Sequence, residues 1–202
     1  MISEEDRERL ASAVRDAEAG TAGEIIVVIA HQASGYRSVP VLWGLLAAMV
    51  VPWPLIWLTT LSASRIYLLQ ILVSIAITLF LSLQKRRYAL VPGFIKRARA
   101  HESANREFVA RGLTRTRDRT GVLIYVAMAE HYAAILADTG IADRVEPDVW
   151  RATIADLLEA IKAGNTADGL IAAVRRAGDI LSQCAPPRPD DTDELPNKVI
   201  LI

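Results

Sequence analysis

The sequence is poor in the residues that build disulfide frameworks and zinc sites. It holds one cysteine and three histidines among 202 residues, and 23 Lys and Arg balance 23 Asp and Glu. A single cysteine excludes a disulfide-built secreted module, and a net charge of zero gives no bulk attraction to nucleic acid. The hydrophobic share of 52% excludes a disordered acidic chain. We therefore expect a folded protein with no nucleic-acid partner.

Charge is also scarce in one long central stretch. Residues 39–83 carry a single formal charge, at Arg65. A bilayer core of about 30 Å needs roughly 20 apolar residues in a helix, and residues 39–61 and 66–83 each supply such a run. Pro52-Trp53-Pro54 predicts a kink in the first run, because proline removes a backbone donor. The pattern predicts a transmembrane helical hairpin over residues 39–83, with the lipid bilayer as a partner.

Basic residues flank this hairpin on both sides. Arg37 precedes it and Lys85-Arg86-Arg87 follows it, whereas the polar link of residues 62–65 carries only Arg65. Positive residues near the ends of membrane helices are enriched on the cytoplasmic side. We therefore expect a two-span protein whose flanking segments, and both termini, are cytoplasmic.

The flanking segments have the pattern of an α/β domain. Ser3-Glu4-Glu5-Asp6 is a capping box that starts a helix. Residues 24–30 and 121–127 are apolar runs of strand length, which predicts central strands covered on both faces. Residues 132–137 predict a third strand, antiparallel to the second because the link between the two is short. The membrane hairpin is thus expected inside a strand-helix-strand crossover.

Helical periodicity accounts for most of the remaining sequence. Apolar residues at three-to-four spacing predict helices over residues 94–113, 148–163 and 166–183, and we expect the first to pack on the sheet. Residues 199–202 are expected to dock as an edge strand. The predicted parts of the chain are a discontinuous α/β domain of residues 1–36 and 88–185, the hairpin of residues 39–83, and an extended tail of residues 186–202.

Several segments together resemble one known family. Ala-Gly-Glu-Ile-Ile-Val-Val at 22–28 is similar to its first strand, and residues 108–113 with Arg-Thr-Gly-Val-Leu-Ile at 119–124 are similar to its helix and second strand. Asp-Thr-Gly-Ile at 138–141 and Gly-Asn-Thr-Ala-Asp-Gly-Leu at 164–170 are similar to two of its later turns. These segments resemble the TPM-domain family, named for thylakoid lumen, photosystem and nematode receptor-associated proteins. Asp193 to Asn197 resembles the tail of a bacterial membrane subgroup with the same split domain.

This resemblance implies a fold and leaves two functions open. It implies a small discontinuous sheet flanked by helices, with an inserted transmembrane hairpin, in the bacterial inner (plasma) membrane. Family members are described as acid phosphatases, as calcium-binding modules and as assembly or repair factors for membrane complexes. We expect a binding or assembly module for membrane proteins, with a weak metal-dependent acid phosphatase as the alternative. Many relatives hold the domain outside the cytoplasm, whereas the charges of this chain predict it inside.

Acidic residues near strand ends are the candidates for chemistry. Asp138 directly follows the third strand, where an α/β sheet often binds ligands, and it is the candidate catalytic residue. Asp138 and Asp143, with Gly140 to allow a turn, form a candidate site for Ca²⁺ or Mg²⁺, with Glu24 as a weaker candidate. Glu24 and Asp118 precede strands, so we expect them at the opposite end of the sheet from Asp138. The spacing of the histidines matches no zinc motif.

Overall fold

The computed structural model describes residues 2–36, 38–83, 91–188 and 199–202. The chain divides into two compact units, one of Met1–Ala33 with Arg97–Ile202 and the other of Ser34–Lys96. The second unit is therefore an insertion in the sequence of the first.

The first unit is built on a four-stranded mixed sheet. Its strands are β1 (Glu24–Ala30), β2 (Gly121–Ala127), β3 (Tyr132–Ala137) and β4 (Val199–Leu201). The strand order is β3-β2-β1-β4, with β1 parallel to both β2 and β4 and with β3 antiparallel to β2. The predicted β2–β3 hairpin and the predicted edge strand are therefore confirmed. Every residue of β1 and β2 is buried, which agrees with strands covered on both faces.

The helices of the described residues follow the predicted order. They are α1 (Glu4–Glu18), α2 (Ser38–Val50), α3 (Pro52–Leu58), α4 (Ala63–Leu81), α5 (Gly93–Ala110), α6 (Thr139–Ala142), α7 (Pro147–Lys162) and α8 (Thr166–Cys184), and a 3-10 turn covers Leu113–Arg115. The Ser3 hydroxyl accepts from the Asp6 backbone N–H at 3.1 Å, and the Asp6 carboxylate accepts from the Ser3 N–H at 3.3 Å. This reciprocal pair is the predicted capping box of α1.

One face of the sheet is covered by α1, α7 and α8. Ile25, Val27 and Ile124 pack there against a continuous apolar layer, which includes Leu10 from α1 and Leu181 from α8. The apolar stripes of these helices point inward because their buried residues recur every three or four positions.

The other face is covered by α5, through only part of the stripe that the spacing predicts, which is Ile95, Ala98, Ala104, Phe108 and Val109. The helix buries the small residues Ala100, Ser103 and Ala104 against the sheet, whereas Val109 is 62% exposed. Small side chains let the helix backbone approach the sheet around the bulky Tyr125, whose hydroxyl donates to Ser103 Oγ at 3.0 Å. The expectation that this helix packs on the sheet is confirmed. Ala104 and Phe108 of the expected stripe contact this core, whereas Ala98 and Val109 are exposed.

The second unit contains a pair of apolar helical segments. Residues Ser38–Leu58 and Ala63–Leu81 are each long and apolar enough to cross a membrane, and only 6% of the most apolar window in each is buried. The first is interrupted between α2 and α3 at Val51, next to Pro52, where a kink was predicted. α4 begins at Ala63, so Arg65 lies in its first turn and not in the link.

A close contact joins the two segments at Gly44. A Cβ atom at this position would overlap Thr78 Oγ1 and would stand 2.9 Å from the Ser74 carbonyl oxygen. Glycine therefore allows α2 and α4 to approach closely, as small residues do in membrane helix pairs. The orientation of the two segments in a membrane stays a prediction. Arg37 and Lys85-Arg86-Arg87, on which that prediction depends, lie outside the described residues, and so does the Asp193 to Asn197 tail.

Candidate functional site

Asp138 lies at the edge of the sheet where β1 and β2 begin. Glu24 pairs in register with Gly121, and the Asp138 backbone N–H donates to the Gly121 carbonyl at 2.9 Å. Glu24 and Gly121, the first residues of β1 and β2, and Asp138, the residue after β3, thus form one row at this edge of the sheet. The expectation that Glu24 and Asp118 lie at the opposite end from Asp138 is wrong. The physical reason is that β3 runs antiparallel to β2, so the end of β3 meets the start of β2.

The Asp138 carboxylate is buried and takes part in local contacts. Its side chain is 6% exposed, and Oδ1 accepts from the Thr139 N–H at 2.7 Å as the N-cap of α6. Arg119 Nε lies 3.4 Å from Oδ2. Within the described part of the chain, Oδ2 accepts no hydrogen bond. An ion pair with the half-exposed Arg119 therefore supplies the main compensation for burying this oxygen.

The backbone around this carboxylate is tightly packed because of Gly140. The Gly140 N–H donates to the Arg119 carbonyl at 3.0 Å. A Cβ atom at Gly140 would overlap the Asp118 carbonyl oxygen and would stand 2.7 Å from that of Arg119. Arg119 itself has a φ of 60°, in the left-handed region. The two loops that flank Asp138 are thus fixed against each other by direct backbone contact.

The other predicted metal ligands do not surround Asp138. Asp143 is exposed and ends α6, whereas Asp138 begins it. Glu24 is buried at the start of β1, one strand beyond Gly121. Among the residues that the structure describes, no group of three or more His, Cys, Asp or Glu side chains is placed to hold a metal ion. The described carboxylates therefore form no such cluster around Asp138, and the Ca²⁺ or Mg²⁺ site stays a prediction.

A cavity of about 380 Å³ opens at the opposite edge of the sheet. It lies where β1 and β4 end, and its walls include Ile29, His31, Met128 and Ile202. The loop of residues 164–168, between α7 and α8, closes one side. This is the carboxyl edge of three parallel strands, between β1 and β4. The connection from β1 to β2 runs through α5 on one face of the sheet. The connection from β3 to β4 runs through α7 and α8 on the other face. Open α/β sheets bind ligands at such a point.

A charged network borders this cavity. Arg9 contacts Asp6 Oδ1 at 3.1 Å and Asp168 Oδ1 at 2.7 Å, which joins α1 to the first turn of α8. Hydrogen bonds from the Ser3 side chain and backbone, followed by the Arg9 charge, lower the pKa of Asp6. With apolar walls and a polar rim, the cavity suits an apolar side chain or a small amphiphile.

Sequence reasoning missed this cavity because its walls come from distant segments. The available signals were His31, directly after β1, and the Gly164-Asn165-Thr166 turn, in which Gly164 has a φ of 83°. Neither signal identifies the cavity unless the order of the strands in the sheet is known.

Comparisons with known proteins agree with this fold. Residues 85–180 match the TPM domain. The TPM match contains all of α5, β2, β3, α6 and α7 and most of α8, so the predicted family resemblance is confirmed for that part of the chain. The chain is also similar in structure to the BA42 protein of the psychrophilic bacterium Bizionia argentinensis, solved by NMR. The TM-score is 0.62 at 23% sequence identity, over 100% of this chain and 96% of that one. No curated protein matches the sequence.

Proposed function

We propose that this chain is a membrane-anchored binding module that acts on other membrane proteins. The observation that carries the proposal is the pair of apolar segments, Ser38–Leu58 and Ala63–Leu81, in each of which only 6% of the most apolar window is buried. Exposed apolar surface of this length is costly in water and favourable in lipid. Because the pair is inserted between β1 and α5, it tethers the α/β unit to the bilayer through two chain segments.

The cavity at the carboxyl edge is the proposed contact site for the partner. Its apolar walls, Ile2, Ile29 and Met128, can accept an apolar side chain, and Asn165 and Thr166 offer polar groups at the rim. Buried apolar anchors of this kind carry much of the binding energy in protein interfaces. A contact confined to this cavity predicts one main partner surface rather than adhesion over many surfaces.

A site-specific photo-crosslinker tests this proposal. The full chain would carry the probe at Ala167 in the cavity wall, or at the exposed Ala155 of α7 as a matched control. We expect one membrane-protein adduct from Ala167, and its loss when Met128→Trp fills the cavity. Equal adducts from both probe positions, or an adduct that Met128→Trp does not change, would contradict the proposal.

The alternative of a weak metal-dependent acid phosphatase rests on Asp138. The family model that residues 85–180 match carries the word phosphatase in its name, and Asp138 Oδ2 is a buried carboxylate oxygen without a hydrogen bond in the described residues. A buried carboxylate is a reasonable general acid or nucleophile. The described donors give no geometric support for the metal-dependent part of this alternative.

Phosphate release from an aryl phosphate separates the two functions. The purified full chain would be assayed with and without Ca²⁺ or Mg²⁺, beside Asp138→Asn and the exposed control Asp179→Asn. Asparagine is also a good N-cap, so Asp138→Asn should keep α6. Turnover that only Asp138→Asn abolishes would support the phosphatase. Absence of turnover in all conditions would leave the binding module as the function.

A further inference from the structure

One polar side chain lies well inside the second apolar segment. Gln70 is the eighth residue of α4, about 10 Å along the helix from its start at 1.5 Å per residue. In a bilayer core of about 30 Å, this depth places the side-chain amide in the hydrocarbon region.

A groove beside Gln70 separates it from the neighbouring segment. The groove is about 490 Å³ in volume and is lined by Met49, Pro52, Trp53 and Trp57 in addition to Gln70. It opens where the first segment breaks at Pro52, next to the start of α3. The hairpin therefore leaves space at Gln70 rather than closing over it.

The amide of Gln70 has no hydrogen-bond partner in the part of the chain that the structure describes. Thr78, on the same helix, differs in this respect because its hydroxyl donates to the Ser74 carbonyl at 2.8 Å. Hydrocarbon supplies no hydrogen bonds, so an unpaired amide at this depth is unfavourable. Polar side chains inside membrane helices commonly pair across a helix interface. The partner of Gln70 is therefore expected outside the hairpin.

We propose that two copies of this chain associate in the bilayer through Gln70. A carboxamide has both donors and an acceptor, so two such groups can form two reciprocal hydrogen bonds. Copies inserted in the same direction carry Gln70 at the same depth, and a two-fold axis along the membrane normal brings the two amides together. An unrelated membrane protein would need a polar side chain at the same depth, whereas a second copy of this chain always has one. The inference rests on the proposed membrane anchoring of the hairpin.

Energy transfer between labelled copies tests the inference. Cys184 is the single cysteine of the chain and is partly exposed, so donor and acceptor maleimides can be placed on the unmodified protein. The full chain would be reconstituted in liposomes over a series of lipid-to-protein ratios. We expect energy transfer above the random-proximity level, with an association constant that Gln70→Leu lowers by about tenfold.

Two further variants test whether the association depends on the Gln70 amide, and an alkaline carbonate extraction tests the membrane anchoring. Gln70→Asn keeps an amide and should retain most of the association. Leu79→Ala, nine residues further on and thus half a turn around the helix, alters an exposed apolar side chain on the opposite face and should have no effect. Each protein would also be extracted with alkaline carbonate.

The outcomes separate the two proposals. Random-level transfer in the wild type, or transfer that Gln70→Leu does not change, overturns self-association through Gln70 even when the chain resists carbonate. Release of the wild-type chain by carbonate overturns the membrane anchoring, and the inference with it. Resistance to carbonate together with the Gln70-dependent transfer supports both.

Discussion

The buried hydrogen bond between Tyr125 and Ser103 gives a quantitative test of how α5 packs on the sheet. Tyr125 is fully buried on β2, Ser103 is 4% exposed on α5, and the two oxygens are 3.0 Å apart. Ser103→Ala leaves the buried phenol without this partner, which costs about 1–3 kcal/mol of unfolding free energy. Tyr125→Phe removes the hydroxyl and costs about 1 kcal/mol, because Ser103 can donate instead to a carbonyl one turn earlier.

The double variant measures the energetic coupling between the two side chains. We expect it to be less destabilised than the sum of the single variants by about 1 kcal/mol. Unfolding of the full chain in mild detergent with increasing urea, followed by pulse proteolysis, would measure all four proteins. The exposed Ser182→Ala, combined with Tyr125→Phe, is the additive control. A coupling below about 0.3 kcal/mol for the Ser103 pair would refute the packing of α5 on this face.

The remaining predictions concern pH and backbone packing. Burial raises the pKa of Tyr125 above its ordinary value, so above about pH 10 the unfolded chain loses a proton that the folded chain retains, and stability falls as pH rises. Urea unfolding at pH 9 and pH 11 should show a smaller fall for Tyr125→Phe; an equal fall would argue against this cause. Gly140→Ala places a methyl group against the Asp118 and Arg119 carbonyls and should cost about 1–3 kcal/mol in the same unfolding assay. Gly20→Ala, whose nearest neighbour is 4.0 Å away, should be close to neutral, and equal effects of the two would contradict the tight backbone approach.

The strands and most helices were predictable because their signals are local. The apolar runs at residues 24–30 and 121–127 have strand length and are rich in β-branched residues, which favours covered strands, and the structure has both with the predicted bounds. The capping box and the Pro52 break depend on neighbouring residues alone. The buried face of α5 was predictable only in part, since Ala104 and Phe108 belong to the predicted stripe. The burial of Ala100 and Ser103 depends on their fit against Tyr125, which the spacing of apolar residues along the helix does not detect.

The candidate site was predicted only in part, since strand direction decides it. Asp138 does follow a strand, but the rule that ligands gather at carboxyl ends applies to parallel strands, and β3 is antiparallel. Applied to β1 and β4, the same rule leads to His31 and the cavity at the other edge. That cavity also needs Ile2, Met128 and the 164–168 turn, which only the folded chain brings together.

Side-specific labelling of two cysteines tests the membrane anchoring most directly. One protein would keep Cys184 as its only cysteine, and the other would carry Ser62→Cys, in the link between α3 and α4, with Cys184→Ser. Sealed vesicles of one orientation would be treated with a membrane-impermeant maleimide before and after permeabilisation. If the hairpin crosses the bilayer twice, the two positions lie on opposite sides, so only one is labelled before permeabilisation. Labelling of both positions in sealed vesicles would show that the hairpin does not cross, and would contradict the account.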